Sequence, residues 1–289
     1  MEKAKYLPYW VLNPMDNKVT TKSIKNWSFF TTTELKNGES PLKDQGTRVY
    51  QSAHYKASIY DHCIWIFYNK KIDNSDEYSR LTRVLKAVSE TFCNSFLSGP
   101  GVILNFEDIP SEIQPPSPVV WVSSKEENLT NDKLNSIINV TENIYHEKLD
   151  EYLQIFEYLT QINQSSSYVR ELALWSFIEQ HWNDKNGNSN LRHSLTNLMN
   201  EVYSESDPKR IDFENKLIEL GKYITGKESD SLTHIRNSLA HGWFFKKKDT
   251  WDQDAYKLFY FIHQFLHRMM LQSIKEQIVN DITTKPKLH

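Results

Sequence analysis

The sequence is poor in the residues and motifs that define several common kinds of site. Its 289 residues include only two cysteines, Cys63 and Cys93, which are too few for a disulfide framework or a cysteine-based zinc site. The eight glycines form neither a phosphate-binding loop nor a dinucleotide-binding fingerprint, and no serine-centred nucleophile elbow is present. The sequence therefore offers no motif for nucleotide-dependent chemistry or for serine hydrolysis.

Charge and hydrophobicity exclude two further classes of protein. The net charge of −3, from 34 basic and 37 acidic residues, excludes a generally basic nucleic-acid-coating protein but leaves room for a local basic site. No apolar run approaches the roughly 18 residues of a membrane span, and no signal-like apolar segment follows Met1. With 39% hydrophobic and 25% charged residues, we expect a folded, soluble, cytoplasmic protein without membrane association.

Prolines are unevenly distributed and divide the chain into two parts. Eight of the ten prolines precede residue 131. Because proline interrupts helices, this distribution predicts an α+β protein, with a mixed α/β N-terminal domain at residues 1–125 and an all-α helical bundle at residues 131–289. The proline-rich residues 109–118 favour a stiff, extended conformation, which makes them the best candidate for a linker.

The N-terminal part contains apolar and aromatic runs that have the length of β-strands. The strongest are residues 6–12 and 61–68, and weaker signals occur at residues 27–33, 47–57, 102–106 and 119–122. Residues 75–97 have apolar positions three or four apart and predict a helix, which Ser98-Gly-Pro-Gly would end. This part resembles no known family, and we expect it to sense a trigger or to restrain the C-terminal part.

The C-terminal part has the period of helices from about Asn131 onward. Leu134, Ile137, Ile138 and Ile144 begin the pattern, and Leu149, Leu153, Phe156 and Leu159 follow in a long helix. Further helices are predicted at residues 169–182, 191–203, 211–224, 229–241 and 253–279. Their breaks coincide with an Asn-rich loop, with Ser206-Asp-Pro and with Gly226 and Gly242, which stand where glycines end helices.

The segment with the clearest chemistry is Arg236-Asn237-Ser-Leu-Ala-His241, which Gly242 follows. On a helix, Asn237 and His241 share one face, and the long side chain of Arg236 can reach the same pocket. The dipole at the helix end favours the protonated imidazole, whereas the neighbouring arginine favours the neutral form. This balance suits proton transfer near neutral pH.

These groups are suited to the cleavage of an RNA phosphodiester. The 2′-hydroxyl must lose a proton, the leaving 5′-oxygen must gain one, and the charge on phosphorus must be stabilised. Histidine can transfer the protons and arginine can bind the phosphate oxygens, so the reaction needs no metal or other cofactor. The alternative is an ordinary helix end with one buried and one exposed polar group, because arginine and histidine also occur at this spacing by chance.

The motif and its setting resemble the HEPN superfamily, whose signature is an arginine, four to six residues and a histidine on a late helix of a bundle. The resemblance covers residues 147–279, roughly, and none of the first half. It implies a metal-independent endoribonuclease of a toxin or phage-defence system, in which two protomers form one composite RNA cleft. By the same resemblance Arg236 would bind the scissile phosphate, His241 would transfer protons and Asn237 would orient its neighbours.

The resemblance leaves the activity and the regulation open in two respects. Some family toxins have a tyrosine two residues after the histidine, where a partner nucleotidyltransferase modifies it. This chain has Trp243 there, which argues against that form of antitoxin control, although another regulatory or antitoxin partner remains open. The alternative function is a catalytically silent module that dimerises or recruits a partner, although inactive family members commonly lose the arginine or the histidine.

Basic and aromatic residues follow the motif directly. Lys246, Lys247 and Lys248 could guide an RNA backbone into the cleft, or they could form a solvated loop. The aromatic residues between them and the motif, Trp243, Phe244 and Phe245, could stack on bases, but packing against the final helix or a dimer partner is the more common role.

Two other sets of residues have spacings or positions that occur in functional sites. His263 and His267 stand four apart, a spacing that can bind a metal, but no third ligand accompanies them, and we expect polar-edge histidines on an aromatic-rich helix and no metal. An acidic residue early in the second bundle helix sometimes assists HEPN sites. Glu171 has that place here, and we expect it to form a surface ion pair beside Arg170.

Overall fold

The computed structural model describes two compact units, Met1–Thr160 and Gln161–His289. The described residues are 6–12, 18–31, 33–34, 64–70, 72, 75–93, 97–104, 129–165, 167–183, 191–225, 236–237, 240 and 253–284. One antiparallel sheet and a larger number of helices confirm the broad α+β class. None of the helices within these ranges combines the length and the hydrophobicity that crossing a membrane requires.

The described strands of the first unit form one antiparallel sheet in the order β2-β3-β4-β1-β5. Their bounds are Tyr6–Leu12 for β1, Ser23–Ile24 for β2, Trp27–Thr31 for β3, Ile64–Tyr68 for β4 and Leu97–Leu104 for β5. The strands predicted at residues 6–12 and 61–68 are confirmed where the chain is described, and the one predicted at residues 27–33 is confirmed as far as Thr31, because Thr33 is already helical. Every residue of β4 is buried, which explains why this strand is apolar without alternation.

The C-terminal end of the predicted helix at residues 75–97 is wrong. Helix α1 spans Ser75–Cys93, and Leu97 already belongs to β5, which includes the Ser98-Gly-Pro-Gly segment expected to end the helix. Of the described strands β5 pairs only with β1, with an irregular register between Tyr9 and Val11. Proline is tolerated at such a position because an outer strand does not need every backbone N–H for the sheet.

Three long helices of the described ranges accompany the sheet in the first unit. Helices α2, Asn131–His146, and α3, Asp150–Gln164, take the place of the single long helix predicted beyond residue 131. The chain turns at Lys148, which has a positive φ of 53°. α2 packs against α1, which also contacts β5. α2 and most of α3, up to Thr160, belong to the same compact unit as the sheet.

A buried carboxylate connects α2 to the sheet. The indole Nε1 of Trp27 donates a hydrogen bond of 2.6 Å to Oε1 of Glu142, and Nε2 of His146 lies 3.2 Å from Oε2 of the same carboxylate. Trp27 is fully buried and Glu142 is 6% exposed. Because a buried indole N–H needs an acceptor, Glu142 stabilises the position of β3 against α2.

Tyrosines surround this contact in the apolar core. The ring of Tyr68 lies 4.7 Å from that of Trp27, and the ring of Tyr78 lies 6.5 Å from that of Trp10. Burial raises the pKa of Tyr78 to about 12. Burial, together with the negative charge of Glu142, also raises the pKa of Tyr68. Both phenols are therefore held neutral well into the alkaline range.

Four long helices make up most of the described second unit. They are α4, Ser167–His181, α5, Leu191–Val202, α6, Pro208–Thr225, and α7, Gln253–Thr284. Each agrees with a predicted helix, although α7 continues five residues further. α4 packs against α5, and α7 contacts α4, α5 and α6. Their buried side chains include Trp175, Phe213, Leu266 and Met270.

Some predicted elements and the predicted linker lie outside the described residues, at residues 47–57, 61–63, 109–118 and 119–122.

Replacing Glu142 by alanine should destabilise the protein by about 1–3 kcal/mol, because the buried indole N–H of Trp27 would lose its acceptor. Glu142→Gln keeps an acceptor oxygen and should cost less. The measurement is equilibrium unfolding in urea, followed by tryptophan fluorescence. Glu147→Ala, at an exposed position just after the same helix, is the matched control and should change the stability by at most about 0.5 kcal/mol. Equal losses in both alanine variants would contradict the proposed contribution of the indole contact.

The tyrosines predict an alkaline transition. The folded-state pKa of Tyr78, about 12, is above its unfolded value of 10.0, so its contribution to stability is complete below pH 10 and is lost as the pH rises through 12. In a titration followed by phenolate absorbance, Tyr78→Phe should remove an ionisation near pH 12 and leave the earlier part of the curve unchanged. Loss of signal near pH 10 instead would refute the assignment.

Candidate functional site

The structure describes part of the predicted site. Arg236, Asn237 and Ala240 are helical, within the helix predicted at residues 229–241. The other predicted site residues lie outside the described residues, namely His241, Lys246, Lys247 and Lys248, as do the aromatic residues Trp243, Phe244 and Phe245. The geometry of the site is therefore that of Arg236 and the groups around it.

Two acceptors hold the guanidinium of Arg236. Its Nη2 donates to Oε2 of Glu179 at 3.2 Å, and its Nη1 donates to Oδ1 of Asn237 at 3.5 Å. The side chain of Arg236 is 40% exposed, whereas that of Glu179 is 18% exposed. A guanidinium carries five N–H groups, so these contacts engage only a part of its hydrogen-bonding capacity. An anion approaching from the solvent could accept hydrogen bonds from other N–H groups of the same guanidinium.

The ion pair of Arg236 and Glu179 contributes little to the stability of the fold, and its main effect is on the orientation of the guanidinium. An ion pair with one partner this exposed is worth at most about 1 kcal/mol, because water screens the attraction and two long side chains lose rotamer freedom. The same contact favours one orientation of a side chain that otherwise samples many rotamers. An oriented, solvent-accessible arginine is what the recognition of a phosphate requires.

Glu179 is the functional candidate that sequence reasoning missed. It lies in the last turn of α4, eight residues after Glu171, and these two are the acidic residues of that helix. The signal in the sequence is a second carboxylate on the same helix of the bundle. What the sequence could not give is the contact across 57 positions that brings Glu179 to Arg236.

The expectation for Glu171 is wrong. Glu171 is 2% exposed, and its carboxylate lies against Nδ1 of His263 on α7 instead of pairing at the surface beside Arg170. The face of α4 that bears Glu171 is covered because α7 packs against it. This burial also explains why a carboxylate there needs a charged or hydrogen-bonding partner.

The histidines of α7 differ from the expectation as well. His267 is 7% exposed and the side chain of His263 is 12% exposed, so neither lies at a polar edge of the helix. Their rings are nearly parallel, with centroids 6.2 Å apart. Within the described part of the chain, no three His, Cys, Asp or Glu side chains are grouped so that they could hold a metal ion.

No protein-family model, curated protein or solved structure matches this chain. The resemblance to the HEPN superfamily therefore rests on Arg236, Asn237 and His241 and on their setting late in a series of helices. The described geometry adds an accessible, oriented arginine to that pattern.

Proposed function

We propose that this protein is a metal-independent endoribonuclease of HEPN type, a cytoplasmic toxin or phage-defence effector. The observation that carries the proposal is the guanidinium of Arg236, which is accessible to solvent and oriented by Glu179 and Asn237. Arg236 is itself helical, and it stands five positions before His241 in the sequence. An oriented cation and a histidine at this spacing supply the two functions that RNA cleavage needs.

The reaction is an attack of the RNA on its own backbone. The 2′-oxygen loses its proton and forms a bond to phosphorus, the bond from phosphorus to the 5′-oxygen breaks, and the 5′-oxygen gains a proton. The products are a 2′,3′-cyclic phosphate and a 5′-hydroxyl. Arg236 binds the non-bridging oxygens and stabilises their developing charge. His241 transfers the protons, and in a dimer with one shared cleft its two copies serve as base and acid.

Charge balance assigns a role to the lysines after the motif. Arg236 and Glu179 together are neutral, so they orient a phosphate without attracting a polyanion over a distance. Long-range attraction needs further cations, and Lys246, Lys247 and Lys248 follow Arg236 within twelve positions. We assign them to the RNA backbone, with an affinity that falls as salt increases. The N-terminal part would sense the trigger or restrain the cleavage.

The cleavage of RNA in the presence of EDTA tests the proposal. The purified full chain should cut single-stranded RNA and leave a cyclic phosphate, and Arg236→Ala and His241→Ala should each lower the rate by about 10²–10⁴-fold. Arg236→Lys should also lose most of the activity, because an ammonium lacks the paired N–H groups. Products are read on a denaturing gel and by mass spectrometry.

The matched control is Arg268→Ala, which removes an exposed arginine of α7 whose contact is to Gln264 on its own helix. It should leave cleavage unchanged. Cleavage that survives in both Arg236→Ala and His241→Ala would come from a contaminant or another site and would refute the assignment. A folded wild-type chain that cuts no RNA would favour the catalytically silent interaction module.

A composite cleft also requires two copies of the chain. We propose a homodimer with a two-fold interface at which both copies of Arg236 and His241 face one groove. Sedimentation velocity at micromolar concentration should therefore give a dimer, in wild type and in Arg236→Ala alike. A strictly monomeric species with full cleavage activity would contradict the shared cleft while leaving the chemistry of the motif in place.

A further inference from the structure

One face of α5 holds the end of α4 that carries Glu179. Ser194, Asn197 and Glu201 stand three and four positions apart, so they share this face of the helix. Each makes a hydrogen bond to the segment 179–182. The side chain that pairs with Arg236 thus starts from a backbone that a second helix fixes.

Two of these bonds are to backbone carbonyls that need a partner. The last carbonyls of a helix have no N–H from a following turn, and such ends fray unless other groups bind them. The hydroxyl of Ser194 donates to the carbonyl of Glu179 at 3.2 Å, and Nδ2 of Asn197 donates to the carbonyl of Trp182 at 3.0 Å. The first bond satisfies a carbonyl in the last turn of α4, and the second holds Trp182, which directly follows the end of the helix at His181.

The third hydrogen bond connects this end of α4 to α7 as well. The indole Nε1 of Trp182 donates to Oε2 of Glu201 at 2.9 Å, and Nε2 of Gln277 donates to the same oxygen at 3.1 Å. Three helices therefore meet at the end of α4. Trp182 is buried, and Ser194 is 0% exposed, whereas Arg236 is 40% exposed. The accessible guanidinium is thus linked through Glu179 to a set of hydrogen bonds among three helices.

We propose that Ser194 and Asn197 are positioning residues for Arg236, which act by fixing the backbone at Glu179. The inference rests on the proposed function, because it assigns a role in the same cleavage reaction. Neither residue touches the substrate. Their effect passes through Glu179, whose carboxylate orients the guanidinium. Small displacements of a group that binds the reacting phosphate are costly, since about 1 Å of misplacement can reduce a rate by about 100-fold.

The test is a double-mutant cycle on the cleavage of a single-stranded RNA oligonucleotide by the full chain in EDTA. Ser194→Ala and Asn197→Ala are made in the wild type and in Glu179→Gln. In the wild type each should lower kcat about fivefold with little change in KM, the factor that one net hydrogen bond supplies. In Glu179→Gln the same substitutions should change kcat by less than about twofold.

Thr196→Ala is the matched control on α5. Its hydroxyl also donates to a carbonyl, that of Arg192, but within the same helix. Its removal should leave kcat unchanged in both backgrounds. Ser194→Ala could leave a protein that is too unstable to fold. The test of the positioning role then rests on Asn197→Ala and Asn197→Asp, because Asn197 is only half-buried.

The outcomes separate this inference from the proposed function. Ser194→Ala and Asn197→Ala could lower kcat as much in the Glu179→Gln background as in the wild type. That result would show a general structural effect and overturn the positioning role. Full activity of Ser194→Ala and Asn197→Ala, with Arg236→Ala inactive, would overturn the positioning role alone. Full activity of Arg236→Ala, or no cleavage by the wild type, would overturn both.

Discussion

The site depends on the orientation of the guanidinium of Arg236, and the fold has to supply that orientation. Glu179 provides one contact from α4 and Asn237 a second from the neighbouring position on the same turn. The carboxylate is mostly shielded while the guanidinium is accessible, so one partner acts as the fixed support and the other as the presented group. The packing of α4 against α5 and α7 matters for this site because it determines where that support stands.

Elements with a strong local pattern could be predicted from the sequence. The examples are the apolar runs of β1 and β4 and the apolar periods of α4, α5 and α6. These signals depend on nearby residues alone, and the predicted bounds agree with the observed ones within a few positions. The start of β5 and the turn at Lys148 could not be predicted in this way. Glycine and proline at an outer strand look like a helix stop, and a lysine carries no signal for a positive φ.

The candidate site divides along the same physical line. Arg236 and Asn237 were found because their chemistry and spacing are local properties of the chain. Glu179 and the burial of Glu171 were missed, because each depends on which helices pack together. Both carboxylates lie on one helix two turns apart, yet one faces α7 and a histidine, and the other faces the arginine of the motif. Sequence patterns identify the reactive group more readily than the groups that hold it.

The two outer members of the described sheet have a bearing on self-association. Among the strands that the structure describes, β2 has two residues, and β5 contains Pro100, which has no amide hydrogen to offer a neighbouring chain. Neither is a good template for adding a strand from another molecule. Fibrillar growth by continuing this sheet is therefore disfavoured at both of these described margins.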